Sequence, residues 1–168
     1  MIPLVIKKYP DKILRKNSVE VAKITNKERE LFEKMLFTMR YFCGIGLAAP
    51  QIGISKKLII AETEDRVVKL ANPEIIYTRG AGNMREGCLS VPSITIDIER
   101  PDRIIVEGLN EKGQTVEVKA SGLLARVLQH EIDHLKGKLI IDYMNTFERY
   151  ENPSVRMTRY ERNNEAHV

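Results

Sequence analysis

The chain has 168 residues, of which 43% are hydrophobic and 30% are charged, as is ordinary for one soluble globular domain. The net charge is +4, but no basic run with interleaved aromatic residues accompanies it, so specific DNA binding is not indicated. No apolar run is long enough for a signal peptide or a membrane span, and two cysteines offer no disulfide framework. We therefore expect one cytoplasmic domain over residues 1–168 with no membrane contact, in which residues 145–168 form a polar tail.

The first predicted element is a helix over Asn26–Phe42, because Thr25 and Glu28 form a capping-box pattern before apolar residues at helical spacing. A second helix is predicted over Ser121–Lys136 and a last strand over Leu139–Tyr143. Short β-rich segments lie between the helices: Lys57–Ala61, Val67–Ala71, Glu74–Tyr77, Ile94–Ile98, Arg103–Glu107 and Thr115–Lys119. The pattern predicts an α+β domain with antiparallel sheets packed around a central late helix, and with one N-terminal helix.

Residues 44–53, GIGLAAPQIG, are dense in glycine and alanine, which lets backbone pack closely against backbone or a ligand. Gln51 is the only side chain in this segment that can both donate and accept hydrogen bonds. A phosphate-binding loop is not indicated, because the Gly-Lys-Ser/Thr ending and the second Rossmann glycine are missing. A tight structural turn is the alternative.

Cys88 lies in the segment EGCLSVP, residues 86–92, between Gly87 and Pro92. A glycine before the cysteine and a proline that ends the segment are typical of a loop or strand end that brings a thiolate close to a partner. A buried, inert cysteine is the commoner case for a cysteine considered alone. Together with the histidine pair described next, however, Cys88 becomes a candidate metal ligand.

Residues 130–134 read His-Glu-Ile-Asp-His, which places His130 and His134 on one face of the second helix. Leu123 and Val127 extend the same stripe backwards, so the two imidazoles and Glu131 are predicted on the buried side. Burying a carboxylate without a partner destabilises the fold by roughly several kcal/mol, so Glu131 needs a group that interacts with it. A divalent metal would supply it, with the histidines as ligands and the glutamate taking a proton from water. Two satisfied core histidines are the structural alternative.

A catalytic metal site needs a third protein ligand. The zinc-protease pattern with a third histidine fails, because that position is Ile140. Cys88 is the better candidate, while the downstream carboxylates stay open: Asp142, Glu148 and Glu151. A thiolate with two imidazoles suits iron(II), zinc, cobalt or nickel better than magnesium or calcium.

The segments GIGLAAPQ at 44–51, EGCLS at 86–90 and QHEIDHLKG at 129–137 together resemble peptide deformylase, of the iron-dependent bacterial type without an insertion. The similarity extends from about residue 3 to Met144. It implies a metal-dependent hydrolase of protein biosynthesis, which removes the formyl group from the N-terminal formylmethionine of new proteins and releases formate. It also implies one divalent ion per chain, natively Fe²⁺ with Zn²⁺, Ni²⁺ or Co²⁺ as substitutes, N-formylmethionyl peptides of nascent chains as substrates, and transient ribosome association.

The resemblance also implies roles for individual residues. The implied metal ligands are Cys88, His130 and His134, and the implied catalytic groups are Glu131 as general acid and base, with Gln51 and the Leu89 backbone N–H as oxyanion donors. The implied substrate-binding residues include Gly46, through its backbone, and Ile45, Leu123 and Val127, around the methionine side chain. Glu86 and Arg100 are also counted among the substrate-binding residues. Arg100 is expected to pair with Glu86 behind the site.

The chain departs from the family pattern at two positions near these motifs. Cys43 stands where an aspartate or glycine is more usual, and Ser93 replaces a common glycine. The polar tail does not resemble the long basic helix of familiar bacterial members. Two rival functions stay open: a metallopeptidase that cleaves ordinary peptide bonds, and a noncatalytic metal-binding relative acting at the ribosome.

Overall fold

The computed structural model describes residues 1–64 and 66–145, so residues 146–168 of the predicted tail, with the carboxylates of Glu148 and Glu151, lie outside the described residues. The helices are α1 (Asn26–Tyr41) and α2 (Gly122–Leu135). The strands are β1 (Gly46–Ala48), β2 (Leu58–Glu62), β3 (Val67–Arg79), β4 (Gly82–Cys88), β5 (Val91–Arg100), β6 (Arg103–Leu109) and β7 (Thr115–Ser121). Short 3₁₀ helices cover Lys12–Arg15, Ala49–Ile52 and Ile140–Tyr143. No helix in the described ranges is long and apolar enough to cross a membrane.

Within residues 1–64 and 66–145, seven antiparallel strands form two sheets. The larger sheet has the order β1-β2-β3-β6-β7, and β4 and β5 form a separate hairpin. Alternate residues of β2 face opposite sides, since Leu58 and Ile60 pack with α1 whereas Ile59 and Ala61 pack with α2. The two helices therefore cover the two faces of the larger sheet, and the predicted α+β class with a central late helix is confirmed.

The predicted N-terminal helix ends one residue earlier than expected, at Tyr41. Its capping box is formed: the Thr25 hydroxyl accepts from the Lys27 N–H, and the Glu28 carboxylate accepts from the Thr25 N–H. The helix packs against the sheet through fully buried side chains, namely Phe32, Met35 and Met39. Cys43 follows the helix at a φ of 56°, in the left-handed region that favours glycine.

We expect Thr25→Ala to destabilise the protein by about 1 kcal/mol, because the helix N-terminus loses its hydroxyl cap. For a chain of this size, that loss lowers the melting temperature by about 2–4 °C. Thermal unfolding followed by circular dichroism measures the change. The control is Glu30→Ala, an exposed position on the same helix, and equal melting temperatures for the two variants would contradict the capping role.

Two expectations about strands are corrected by the structure, and two strands were not expected. The segments predicted at 67–71 and 74–77 form one strand, β3, with a register shift between Ala71 and Glu74. The predicted strand Leu139–Tyr143 is wrong: Ile140–Tyr143 is a 3₁₀ helix, and its third residue, Asp142, accepts a hydrogen bond from the Leu139 N–H at 2.8 Å. Strands β1 and β4 had no predicted counterpart, and glycine and charge weaken the β pattern of β4.

Candidate active site

The helix α2 carries the His-Glu-x-x-His motif, and its bounds match the predicted ones within one residue at each end. Ala125, Leu128 and Ile132 pack against the larger sheet, which fixes the rotation of the helix. At its end Gly137 has a φ of 72°, and a Cβ there would lie 2.6 Å from the Arg15 carbonyl oxygen. Only glycine fits this close approach, so the helix stop predicted at Gly137 has a steric as well as a conformational reason.

Cys88 and the two histidines of α2 converge. The Cys88 Sγ lies 3.3 Å from His134 Nε2, and His134 Nε2 lies 3.2 Å from His130 Nε2. One ligand atom from each residue lies within 4.8 Å of the others. Cys88 ends β4, so the hairpin supplies the sulfur and α2 supplies the two nitrogens.

Glu86 determines which nitrogen of His130 carries the hydrogen. Burial raises the pKa of Glu86, but hydrogen bonds from His130, Arg100 and Arg126 lower it by more, so the resulting pKa is about 2. Glu86 is therefore a carboxylate that only accepts, and the His130 Nδ1–H donates to its Oε2 at 2.9 Å. This bond leaves the lone pair of His130 Nε2 directed away from Glu86, as a metal-ligating histidine requires.

Arg100 lies behind these residues. Its Nε and Nη2 donate to the two oxygens of Glu86 at 2.6 and 3.0 Å, so the predicted pair is present. Its Nη1 donates to Asp133 at 2.8 Å, and the Tyr143 hydroxyl donates to the same oxygen of Asp133 at 2.7 Å. Arg100 is buried and does not line the cavity, so its guanidinium contacts protein groups at the back of the site.

Glu131 is buried against the backbone of β1. A Cβ at Gly46 would lie 2.3 Å from Glu131 Oε1, so this contact exists only because residue 46 has no side chain. Burial raises the pKa of Glu131 to about 7, while the neighbouring His130 lowers it and Glu86 raises it. A carboxyl group with this pKa exchanges a proton readily near neutral pH.

Two buried polar atoms at the centre have no hydrogen-bond partner among residues 1–64 and 66–145: Glu131 Oε2 and His134 Nδ1. Buried polar groups are normally paired, so an unpaired carboxylate oxygen beside three ligand atoms indicates a further group at this point. Sulfur and two imidazole nitrogens are a donor set for a borderline divalent ion, with one coordination position left for water or substrate. The residues present therefore fit a catalytic metal ion.

A cavity of about 480 Å³ opens beside these groups, within the size range of small-ligand sites. Two of the predicted site residues, Arg100 and His134, do not line this cavity. The other predicted site residues all do, and they are Ile45, Gly46, Gln51, Glu86, Cys88, Leu89, Leu123, Val127, His130 and Glu131. Leu123 was expected in the buried stripe of α2 but is 46% exposed, because it lies in the first turn of the helix at the cavity. Cys43 and Ser93 also line the cavity, and Ser93 has a φ of 66°, a conformation that explains why glycine is common there.

Gln51 is held in one orientation. Its Oε1 accepts from the Ala48 N–H at 2.8 Å, so the opposite end of the amide is the NH₂ group. The Gln51 Nε2 lies 3.7 Å from Cys88 Sγ and 3.3 Å from the Ser90 hydroxyl. The amide therefore presents donors toward the sulfur end of the centre.

Sequence reasoning missed several residues of this site. Ser90 and Asp133 stood within the recognised motifs but were given no role, and Tyr143 was placed in a predicted strand. Arg126 was also missed, although a charged residue four positions before His130, on the buried side of a helix, is a detectable signal.

An α+β fold in which a His-Glu-x-x-His helix meets a cysteine beside a cavity defines a metal-dependent hydrolase. A sequence model of the family described as polypeptide deformylase matches residues 3–150. The chain belongs to the peptide deformylase family, and it is an enzyme that removes the N-terminal formyl group from newly made proteins.

Relatives and solved structures agree with this assignment. The chain is 45% identical over 154 residues to a peptide deformylase of Thermodesulfovibrio yellowstonii, covering 89% of this chain and 93% of that protein. It is 47% identical over 141 residues to a peptide deformylase of Halothermothrix orenii, covering 83% and 92%. A crystal structure of peptide deformylase from Thermotoga maritima superposes with a TM-score of 0.82 at 40% identity, covering 84% and 97%. One from Synechococcus elongatus in complex with actinonin gives 0.84 at 41% identity, covering 89% and 83%.

Proposed function

We propose that Cys88, His130 and His134 bind the catalytic metal ion of this enzyme, and that Glu131 is its general acid and base. The supporting observation is the convergence of one sulfur and two ring nitrogens within 4.8 Å. Glu131, whose Oε2 has no hydrogen-bond partner among the described residues, lines the same cavity as Cys88 and His130. A bound divalent ion supplies Lewis acidity, which polarises a carbonyl and lowers the pKa of water from 15.7 to near 7.

Glu131 moves the protons of the reaction. Its carboxylate takes a proton from the attacking water and delivers it to the nitrogen of the leaving amine, so the bond between the formyl carbon and that nitrogen breaks and formate is released. Burial raises the pKa of Glu131 in the metal-free protein to about 7.

Gln51 and the Leu89 N–H stabilise the oxyanion that forms on the formyl carbonyl. The bond from the Ala48 N–H fixes the Gln51 amide with its NH₂ group toward Cys88, so this donor is in place before the substrate arrives. Removal of one such donor typically costs about 3–4 kcal/mol of transition-state stabilisation.

The cavity selects the substrate. Ile45, Leu123 and Val127 offer apolar surface for a methionine side chain. Gly46 lines the same cavity on β1, an edge strand of the larger sheet, so its backbone is available to pair with an extended peptide. Glu86 contributes indirectly by orienting His130, with Arg100 holding Glu86 from behind.

One assay separates this function from its two rivals. The protein is incubated with formyl-Met-Ala-Ser and, in parallel, with unblocked Met-Ala-Ser, and formate and free amino acids are measured. We expect formate from the blocked peptide and no peptide-bond cleavage in either. Cleavage of the unblocked peptide would indicate a metallopeptidase, and release of neither product by metal-loaded protein would indicate a noncatalytic metal-binding protein.

We propose Fe²⁺ as the native ion, with Zn²⁺, Ni²⁺ or Co²⁺ as substitutes. The Fe²⁺-loaded enzyme is then expected to lose activity in air several-fold faster than the Ni²⁺-loaded enzyme, because iron(II) and its thiolate ligand are both oxidisable. Both forms are prepared from one batch of metal-free protein, and the half-life of formate release is measured in air and under argon. Equal half-lives in air would contradict the prediction.

We further propose that residues 1–168 form a single catalytic domain acting in the cytoplasm on nascent chains, with transient ribosome association. Residues 1–40 hold a surplus of five basic over acidic residues, which supports a weak attraction to RNA. We expect the protein to cosediment with purified ribosomes at low salt and to do so less as salt is added. Absence of the protein from the ribosome pellet at every salt concentration would contradict this attraction.

A further inference from the structure

The buried arginine at position 126 joins the two parts of the metal site. Arg126 is 6% exposed on α2, four residues before His130. Its Nη1 donates to Glu86 Oε1 at 2.8 Å and to the Ile98 carbonyl at 2.6 Å, and its Nη2 donates to the Gly82 carbonyl at 2.6 Å. These acceptors lie at the start and middle of β4 and near the end of β5, so one guanidinium contacts the hairpin at three points.

Side-chain contacts hold the hairpin to the rest of the fold. Strands β4 and β5 pair only with each other among the described residues. The apolar residues Val91, Ile94 and Ile98 pack in a buried cluster with Leu14 and Leu139, and Arg126 adds polar contacts from α2. The hairpin carries Cys88, whereas both histidines lie on α2. The distance from the sulfur to the ring nitrogens therefore depends on how the hairpin is held against the helix.

The contact with Glu86 extends to the histidine. Glu86 Oε1 accepts from Arg126 and from Arg100 Nε, while Oε2 accepts from Arg100 Nη2 and from His130 Nδ1. The two arginines hold the carboxylate in the plane in which it meets His130. Arg126 thus reaches one ligand through the hairpin and another through Glu86.

We propose that Arg126 is a positioning residue of the metal site: it fixes Cys88 through the hairpin and His130 through Glu86. This inference rests on the proposed ligand set. Groups that orient metal ligands typically contribute 10–100-fold to metal affinity, so Arg126→Met is expected to weaken binding by about that factor.

The test is the affinity of metal-free protein for Co²⁺, measured by competition with a chelator, with the thiolate-to-cobalt absorption band reporting whether Cys88 is bound. Arg126→Met is expected to weaken binding about 10–100-fold and to reduce the thiolate band at saturation. The matched control is Arg103→Met, at an exposed arginine on β6, which should bind Co²⁺ like the unsubstituted protein. Unchanged affinity and spectrum in Arg126→Met would overturn the proposal.

A double-substitution cycle separates positioning from general support of the fold. In a Glu86→Gln background the route through Glu86 is already weakened, so Arg126→Met should cost less affinity than in the native background, and the loss that remains reports the route through the hairpin. Equal losses in the two backgrounds would overturn the route through Glu86.

A second variant covers the case in which Arg126→Met does not fold, judged by circular dichroism. Arg126→Lys keeps the charge but cannot make the same forked contacts, so this variant is expected to bind Co²⁺ more weakly than the native protein. Native affinity in this variant would overturn the proposal.

Failure of the proposed ligand set gives a different result. In that case the unsubstituted protein itself shows no thiolate band with Co²⁺, whereas failure of the Arg126 proposal leaves that band present and unchanged in the Arg126 variant.

Discussion

Replacing Glu131 by glutamine is expected to lower formate release from formyl-Met-Ala-Ser by about 10³-fold or more, while the metal stays bound. The amide fills the same space against Gly46, but it cannot accept a proton from water. General acid and base groups contribute about 10²–10⁴-fold to such reactions. Because the proposed ligand atoms belong to Cys88, His130 and His134, loss of this carboxylate should leave the ion in place.

The measurement pairs steady-state formate release with elemental analysis of the same sample. Glu131→Ala should show the same loss of turnover with retained metal, and Glu117→Gln, an exposed position on β7, serves as the control. Turnover within about threefold of the native rate in Glu131→Gln would remove this residue as the acid and base, since the expected effect is far larger.

Replacing Cys88 by alanine is expected to remove the ion itself. Two histidines alone leave the site without its sulfur ligand, and catalytic metal sites usually have three protein ligands. We expect metal content to fall from about one ion per chain to less than about 0.1 after gel filtration, with loss of activity as a consequence.

Cys43→Ala is the matched control for the second prediction. Cys43 is the other cysteine of the chain and lines the same cavity, but it is not part of the cluster of ligand atoms. Elemental analysis should therefore find the native metal content in this variant. Tightly bound metal in Cys88→Ala, at the native stoichiometry, would show that another residue completes the site.

The part of the site that is local in sequence could be predicted. The spacing of four residues between His130 and His134 fixes their common face on any helix, and the structure has them there. The distance between Cys88 and the two histidines is set by the tertiary fold and cannot be read from sequence periodicity. The expectation that they lie close together came from the resemblance to the family motifs. Arg126 was missed because its role depends on carbonyl groups of β4 and β5, whose position cannot be read from the helix pattern.

Errors in the strand prediction also have physical reasons. The apolar run at residues 139–141 resembles a strand, but the Asp142 carboxylate accepts a hydrogen bond from the Leu139 N–H and closes a turn. The bulge in β3 places Asn72 at a φ of 50°, where its side chain bonds both the N–H and the carbonyl of Val21. Pairing of β3 with β6 resumes at Glu74 after this bulge, so one strand continues where the sequence suggested an interruption.

The proposed ligand atoms come from two parts of the fold, the β4–β5 hairpin and helix α2. This division has a thermodynamic consequence. An ion held there acts as a cross-link between parts of the chain that otherwise meet through side-chain contacts. Since binding to the native state alone stabilises it by RT ln(1 + [L]/Kd), resistance to heat and to proteases should rise with the concentration of free ion. Melting temperatures of this enzyme are therefore comparable only between samples buffered at the same free-metal concentration.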